Sequence, residues 1–235
     1  RSNAGGIATL KPEYTTTFEI GTDLNFFNSR LGIGFTWYKS NSRDQIIPVA
    51  TAPSTGFTSI TLNAGEIENR GIEISLNAKP VAGRDFNWNL GLNISHNKNK
   101  VISIYGGLTE LTIGSQYGYS NATVTMKYIP GESVGDIFGT PVSRYYDQGT
   151  PDPLHIDKSR PMLIGANGFP LLTPTSNQKI LGNSYPKWVA GINNSFSYKS
   201  FTLSFLFDGH FDVRKYDQLN NFMSAFGIAK YTENS

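Results

Sequence analysis

Three histidines and three evenly spaced aspartates are the first candidates for metal chemistry in this sequence. The histidines lie far apart along the chain, at His96, His155 and His210. A zinc site needs three or four ligands at close range, so this spacing disfavours zinc. The aspartates recur every five residues, at Asp147, Asp152 and Asp157. Calcium loops place oxygen ligands at alternate positions around a glycine bend, which this spacing does not supply. We predict no metal site and no cofactor; a cation held by the aspartates is the less favoured alternative to solvated carboxylates.

Carboxylates on predicted strands raise the question of hydrolytic chemistry. Glu19, Asp23 and Glu73 stand at polar positions of alternating segments. A retaining glycosidase needs two carboxyl groups about 5–5.5 Å apart in a cleft. Water-facing carboxylates on the polar side of a sheet explain these residues more simply. The sequence also has neither a Gly-x-Ser-x-Gly elbow nor a Walker glycine-rich loop. We therefore predict that the protein is not an enzyme.

Aromatic side chains in a long polar stretch are the strongest candidates for ligand contact. Rings beside hydroxyl and amide groups suit carbohydrate, peptide or protein surfaces. Such rings also pack loops against themselves, and the sequence favours neither interpretation. The candidate ligand-binding residues are Tyr117, Tyr119, Tyr145 and Tyr146.

The elements that must position these residues are alternating strands, and the clearest lie between Thr15 and Lys39. Phe18, Ile20, Thr22, Leu24 and Phe26 form one row, with polar residues and glycine between them. After a polar turn the alternation resumes through Leu31 to Trp37. Strict alternation predicts strands with one apolar and one wet face. Each arm has about ten residues, the length at which a tilted strand crosses a bilayer.

Two further hairpins repeat this pattern. We predict hairpins at about 15–40, 69–96 and 186–209, with long connections at 41–68, 97–185 and 210–235. Asn194 and Leu206 break the alternation of the third hairpin, which predicts a bulge or register shift there. Tight turns at one end and long loops at the other are typical of outer-membrane barrels. Aromatic residues near both strand ends form two interfacial belts, and Lys39 ends an apolar row where its amine can reach the headgroups.

The composition agrees with an all-β membrane protein. No apolar run approaches the roughly 18 residues of a transmembrane helix, whereas barrel strands bury only alternate residues. The formal net charge is +2 with 16% charged residues, which argues against a nucleic-acid-binding surface. There is no cysteine, so neither a disulfide framework nor a thiolate metal site is expected. The predicted fold is an antiparallel up-and-down meander of about six strands, part of a large transmembrane β-barrel.

The segment from Leu10 to Asp23 and several motifs after it, taken in series, resemble the SusC/RagA family of TonB-dependent outer-membrane transporters of the Bacteroidetes. The segment from Leu10 to Asp23 resembles the Leu-x-Pro-Glu … Glu-x-Gly-x-Asp signature of that family. Further pieces follow in the expected order: Asn63 to Glu73, Phe86 to Trp88, Asn97 to Val101, Gly131 to Gly139, and Leu181 to Trp188. The similarity extends from Leu10 to about Asp208.

The resemblance implies import of a glycan or peptide nutrient across the outer membrane. In such transporters a barrel of twenty-two strands surrounds an N-terminal plug, TonB supplies the energy, and a SusD-like surface lipoprotein usually gates the entrance. The sequence lacks the plug and the TonB-contacting segment of that family, so it is expected to be a C-terminal portion of the barrel. The expected surroundings are outer-membrane lipid, with no nucleic-acid partner.

A soluble β-sheet carbohydrate-binding module is the alternative interpretation. Its strands would also alternate, but its apolar rows would face each other across a sealed interior. The position of those rows therefore distinguishes the two folds.

Overall fold

The structure is a computed structural model, and it describes residues 4–6, 9–50, 53–57, 59–113, 124–145 and 154–230. Within these residues the fold is almost entirely β. The strands, in chain order, are β1 (Ala4–Gly6), β2 (Tyr14–Phe26), β3 (Leu31–Arg43), β4 (Ile46–Ala50), β5 (Ser59–Asn63), β6 (Gly65–Ala82), β7 (Phe86–Ile104), β8 (Leu111–Thr112), β9 (Val124–Tyr128), β10 (Asp136–Gly139), β11 (Lys179–Asn183), β12 (Trp188–Tyr198) and β13 (Phe201–Phe211).

The main sheet is the predicted six-stranded antiparallel meander. Its strand order is β13-β12-β7-β6-β3-β2. Strands adjacent in this sheet and close in sequence are joined by tight turns. In the turn after β2, Phe27, Asn28 and Ser29 all have positive φ, and the Arg30 amide donates to the Phe27 carbonyl at 3.2 Å. The two-residue turn after β12 places Lys199 at φ 50°, a left-handed conformation typical of tight hairpins.

The strands at the long-loop end extend beyond the predicted hairpins. β3 continues to Arg43, β6 begins at Gly65 and β7 continues to Ile104. Strand β12 begins only at Trp188, opposite His96. Strand β7 therefore projects eight residues beyond the start of β12, and the edge of the main sheet is uneven at this point. We call this feature the step.

The predicted irregularity in the third hairpin is absent. Strands β12 and β13 pair without interruption from Trp188–Phe211 to Tyr198–Phe201. Asn194 stays in register because its side-chain oxygen accepts a hydrogen bond from the Trp88 indole at 3.2 Å. The register shifts that do occur in the main sheet lie in the β6–β7 pair, at Glu66/Ile67 and Ala78/Val81.

The predicted long connections contain two smaller sheets. One has the order β1-β5-β4; β4 and β5 lie in the connection between the first two hairpins, and β1, from the start of the chain, pairs with β5 in parallel. The other is an antiparallel meander, β11-β10-β9-β8, within the stretch 97–185 that the sequence predicts to be irregular. Together with the projecting ends of β6 and β7 these sheets form what we call the loop assembly.

The water-excluded core lies in the loop assembly and not in the main sheet. Ala64 and Val101 are completely buried there, beside Leu62, Ile104 and Leu111. Phe138 on β10 is 1% exposed. Burial of this apolar area is what stabilises the loop assembly as an ordered unit.

A single short α-helix is found in the described part of the chain. Asp217 caps the N-terminus of α1 (Gln218–Ala225), and its carboxylate accepts a hydrogen bond from the Asn220 amide at 2.9 Å. This is an ordinary N-cap, which satisfies one of the free amides of the first turn. No helix among the described residues has the length and apolar character needed to cross a membrane.

Candidate functional site

The apolar rows of all six strands lie on one face of the main sheet. The registers place Leu24, Ile33, Leu76, Leu92, Ile192 and Phe207 side by side in one cross-strand row. Many side chains of this face are open to the surroundings: Phe18 is 63% exposed and Phe201 80%. An exposed apolar face of this extent is a surface for lipid or for a large partner. The rows do not face each other across a sealed interior, as the alternative fold requires.

Aromatic residues border this apolar face at both ends. Near the tight turns, Phe196 stacks on Phe86 and Trp88, with ring centroids 6.4 and 5.6 Å apart. At the long-loop end, Trp188 stacks on His96 at 4.3 Å. The predicted aromatic belts are thus present on the same face as the apolar rows, where a bilayer has its interfaces.

The opposite face of the main sheet is polar. Asp23, Glu73 and Asp208 line a hollow of about 500 Å³ on this face. A second hollow of about 310 Å³ lies nearer the tight turns and is lined by amide side chains, among them Asn25, Asn77 and Asn193. The predicted position of Glu19, Asp23 and Glu73 on the polar side is confirmed by the register. This face offers hydrogen-bond donors and acceptors to water and to polar solutes.

One glycine on the polar face allows an aromatic ring to lie across the strands. A Cβ at Gly71 would come within 2.4 Å of the His96 carbonyl and 2.5 Å of the Tyr38 hydroxyl. Tyr38 stands directly opposite Gly71 and donates a hydrogen bond to Asn97 at 3.2 Å. Glycine at this position is therefore required by the close approach of Tyr38.

The step beside β7 is filled by the turn between β9 and β10. The Val101 amide donates to the Glu132 carbonyl and the Gly131 amide donates to the Val101 carbonyl, both at 2.9 Å. The side-chain oxygen of Asn99, on β7, accepts hydrogen bonds from two groups of the same turn, the Ser133 hydroxyl and the Val134 amide, both at 2.6 Å. Backbone and side-chain hydrogen bonds together thus hold the turn against β7.

Asp136 joins this turn to β11. Its carboxylate accepts hydrogen bonds from the Ser133 amide at 3.0 Å and from the Asn183 side chain at 2.8 Å. Burial raises the pKa of Asp136 above the ordinary aspartate value, although the bonds from Asn183 and Ser133 partly offset that effect. The Tyr185 ring packs against Gly135, where a Cβ would come within 2.3 Å of it. Three of the motifs that carry the family resemblance thus meet at one junction.

A second junction ties the start of the chain to the loop assembly. The Lys11 amide donates to the Asn63 side-chain oxygen at 2.8 Å, and the Asn63 side-chain amide donates to the Lys11 carbonyl at 2.8 Å. Glu13 accepts from the Ile46 amide at 2.5 Å. The Leu-x-Pro-Glu motif and the Asn63 motif therefore contact each other. Sequence analysis identified both motifs but assigned no contact to either.

A cavity of about 600 Å³ opens at the base of the step. Four basic side chains line it together with two carboxylates, Glu68 and Glu132. The basic residues are Arg70, Lys98, Lys100 and Lys187. Sequence reasoning missed this site, because its residues come from four separate segments and only their folded positions bring the charges together.

The predicted ligand-binding tyrosines are only partly described. Tyr117, Tyr119 and Tyr146 lie outside the described residues. Tyr145 is 54% exposed, and its amide donates to the Pro161 carbonyl at 2.9 Å. Other aromatic residues of the same stretch differ in exposure: Phe138 is buried, whereas Phe169 is 70% exposed. The ligand-binding role of the four tyrosines stays a prediction.

The candidate metal ligands have separate positions. His96 contacts the Lys187 carbonyl, His155 lies 3.8 Å from Glu132, and His210 lies 3.0 Å from Asp208. Asp147 and Asp152 lie outside the described residues. Asp157 accepts hydrogen bonds from the amide and hydroxyl of Ser159, which lower the pKa of this carboxyl.

A two-faced meander with an outward apolar band and aromatic borders defines the wall of a transmembrane β-barrel. The chain belongs to the TonB dependent receptor-like, beta-barrel family, whose sequence model matches residues 1–232. Family membership and the exposed apolar face together overturn the alternative of a soluble carbohydrate-binding module. Members of this family are transporters and not enzymes.

Relatives at the sequence level come from Bacteroidetes. TonB-dependent receptor P3 of Formosa agariphila is 29% identical over 204 residues, which cover 84% of this chain and 20% of the relative. TonB-dependent receptor SusC of Bacteroides thetaiotaomicron is 39% identical over 99 residues, or 42% of this chain and 10% of SusC. The chain therefore spans about a fifth or less of the length of these relatives.

Solved structures show the same fold. The RagAB peptide transporter superposes with a TM-score of 0.63 at 20% identity, over 83% of this chain and 21% of the transporter chain. The same transporter in its open-open state gives a TM-score of 0.62 at 16% identity. The family model and the sequence relatives confirm the predicted SusC/RagA resemblance, and these structures agree with it in fold.

Proposed function

We propose that this chain forms part of the wall of an outer-membrane importer for a glycan or peptide nutrient, energised through TonB. The observation that carries the proposal is the division of the main sheet into an exposed apolar face and a polar face. The apolar face contacts the hydrocarbon of the membrane, and the polar face borders the interior through which the nutrient passes. Barrels of this type have that arrangement.

The mechanism requires no covalent chemistry from these residues. Asp23, Glu73 and Asp208 keep the interior wall hydrated, and the nearby asparagines exchange hydrogen bonds with a passing solute. The plug of the complete protein moves when TonB pulls on it, and the nutrient then follows the polar face. The loop assembly supplies part of the surface cavity in which the nutrient is captured first.

A SusD-like surface lipoprotein is the proposed partner. A hairpin at residues 161–172, in the connection between β10 and β11, exposes a series of apolar side chains, which suits a protein contact. Ile164 is 57% exposed and Phe169 70%. The Gly165 amide donates to the Phe169 carbonyl at 2.8 Å, which holds the hairpin tip in shape. We name this segment the apolar hairpin and assign it to the lipoprotein contact.

Growth on defined nutrients tests the import proposal. The gene that contains this segment is deleted in frame, and the strain is grown on a panel of glycans or of oligopeptides as the limiting nutrient. We expect loss of growth on one class, restored by the complete gene. The RagAB neighbour is described as a peptide transporter, so the oligopeptide panel is the first comparison. Unchanged growth and unchanged uptake of every labelled nutrient would contradict the proposal.

Substituted cysteines test the orientation of the wall, since the segment has no cysteine of its own. Asn93→Cys places a thiol on the polar face, and the adjacent Leu92→Cys places one on the apolar face. In outer-membrane vesicles, a charged maleimide should label the first position much faster than the second. Equal labelling of the two positions would refute a lipid-facing apolar row.

Disruption of the apolar hairpin tests the partner. Phe169→Asp should prevent co-purification of the lipoprotein encoded beside the transporter gene, because it places a charge in the contact. Asn167→Asp, a nearby polar substitution in the same hairpin, is the matched control and should retain the lipoprotein. Retention by both variants would exclude the apolar hairpin as the contact.

A further inference from the structure

We propose that the cavity at the base of the step binds the phosphorylated headgroup of a lipid in the surrounding membrane leaflet. This inference rests on the proposed function, because it needs the apolar face to contact lipid. It assigns a ligand to a cluster of basic residues that transport itself does not use.

The first argument is the position of the basic residues. Lys39, Arg70 and Lys98 stand directly opposite one another on three adjacent strands. Their positions continue the apolar rows of those strands, one step beyond Trp37, Ile72 and His96 in the alternation. They therefore lie on the lipid-facing side at the level of the headgroups, just beyond the aromatic border.

The second argument is the incomplete neutralisation of this cluster. Lys39 forms an ion pair with Glu68, with 2.9 Å between nitrogen and oxygen. Lys187 forms another with Asp212, at 2.6 Å. Among the described residues, Arg70, Lys98 and Lys100 have no carboxylate within ion-pair distance. Glu68 stands directly opposite Lys100 and its charge also acts on Arg70, so one carboxylate serves Lys39, Arg70 and Lys100. The cluster therefore keeps an excess of positive charge that an external anion can neutralise.

The third argument is that two cations of this cluster lie side by side. Arg70 and Lys98 are directly opposite on neighbouring strands, and like charges in such a pair repel each other. A phosphate placed between them replaces that repulsion with charge-assisted hydrogen bonds, which Arg makes in bidentate geometry. The phosphate oxygens then have partners on two strands at once.

The fourth argument is the shape of the site. The turn containing Glu132 and Ser133 and the segment from Asn183 to Lys187 border a cavity of about 600 Å³ over these cations. The acyl chains of the same lipid would lie along the apolar face below, against Ile72 and Ile94. A lipid satisfies both the charged cavity and the adjacent apolar surface, whereas a free anion satisfies only the cavity.

The test uses the complete barrel protein that contains this segment, purified in detergent and titrated with lipid A in native mass spectrometry. The wild-type protein should retain lipid A. The triple variant Arg70→Gln, Lys98→Gln, Lys100→Gln should bind it at least about tenfold more weakly, because each basic residue near an anionic lipid surface adds to the attraction. These side chains are exposed, so the variant should fold.

A matched control removes the same charge at the other end of the wall. Lys79→Gln, Arg84→Gln, Lys199→Gln lie at the tight turns and should leave the affinity for lipid A unchanged. Equal weakening by the control would overturn the proposal, because the effect would then depend on net charge alone. Equal binding of lipid A by wild type and triple variant would overturn it as well.

Two further titrations identify the chemical group. Lipid A without its phosphates should bind no better to wild type than to the triple variant. Displacement of lipid A by inorganic phosphate at equal concentration would instead show a free-phosphate site and overturn the lipid assignment. Nutrient uptake by the triple variant separates this proposal from the transport function. Lipid A binding that is lost while uptake continues supports the lipid site, and failure of uptake in the wild type contradicts only the import proposal.

Discussion

The main sheet and the loop assembly achieve order in different ways. The main sheet has long, regularly paired strands, but many of its apolar side chains are exposed. The loop assembly has short strands of two to five residues, yet it encloses the completely buried side chains of Ala64 and Val101. The main sheet is stabilised by the backbone hydrogen bonds between its strands. The loop assembly has a core of the kind found in water-soluble proteins. Substitutions should therefore act by different rules in the two regions.

The largest expected effect is in the core of the loop assembly. Phe138→Ala should destabilise this region by about 3–5 kcal/mol, because it leaves a cavity under a fully buried ring. Hydrogen exchange of the β9 and β10 amides measures the change. Phe169→Ala, at an exposed ring, should change the exchange rates little. Equal effects of the two variants would show that the loop assembly has no specific core.

The next largest effect distinguishes the two faces of the main sheet. Leu76→Arg puts a charge in the middle of the apolar face and should cost about 2–4 kcal/mol in lipid. Asn77→Arg is the adjacent position on the polar face and should be nearly neutral. Urea titration of the barrel in lipid vesicles measures both. A large loss with Asn77→Arg would contradict the assignment of the polar face to the interior.

A smaller effect is expected where the two regions join. Asn99→Ala removes the acceptor for the Ser133 hydroxyl and the Val134 amide and should loosen the turn by about 1–3 kcal/mol. Asn99→Asp keeps an acceptor oxygen and should retain most of the protection. Exchange of the Val134 amide is the direct measurement. Loss of protection in both variants would mean that the amide group, and not the acceptor, holds the turn.

The smallest effect is a pH dependence at the same junction. Burial raises the pKa of Asp136, so the folded loop assembly binds a proton more tightly than the unfolded chain. Its contribution to stability should increase as the pH falls from above that raised pKa to the ordinary aspartate value of about 4. Asp136→Asn removes this dependence. The difference between wild type and variant in thermal unfolding from pH 7 to pH 4 isolates it from other carboxylates. A difference that is constant with pH would refute the role assigned to burial.

The sequence predicts the main sheet well because each strand there carries its own signal. Alternation places Leu24, Leu76 and Ile192 on the apolar face without knowledge of their neighbours. The extension of β7 to Ile104 was missed, because Asn97 to Lys100 are polar on both sides and lack the apolar row. The apolar row of β7 ends below that level, and with it the alternation on which the prediction depends.

The loop assembly and the cavity at the step are beyond such reasoning. In the loop assembly, the four-residue strand β10 is buried on both faces, so its sequence has no polar and apolar alternation to detect. The junction of Asn99, Ser133 and Asp136 depends on contacts between segments more than thirty residues apart. The predicted bulge at Asn194 was wrong because a hydrogen bond from Trp88 satisfies the amide within the apolar row. Partners distant in sequence decided each of these outcomes.

The step described for β7 has a mechanical consequence. Eight residues of this strand rise above its neighbour, which at roughly 3.3 Å per residue is an overhang of about 26 Å. Paired with β6, this projecting part of β7 connects the loop assembly to the main sheet. We therefore expect a force on the loop assembly to be transmitted along β6 and β7 to the other strands of the main sheet.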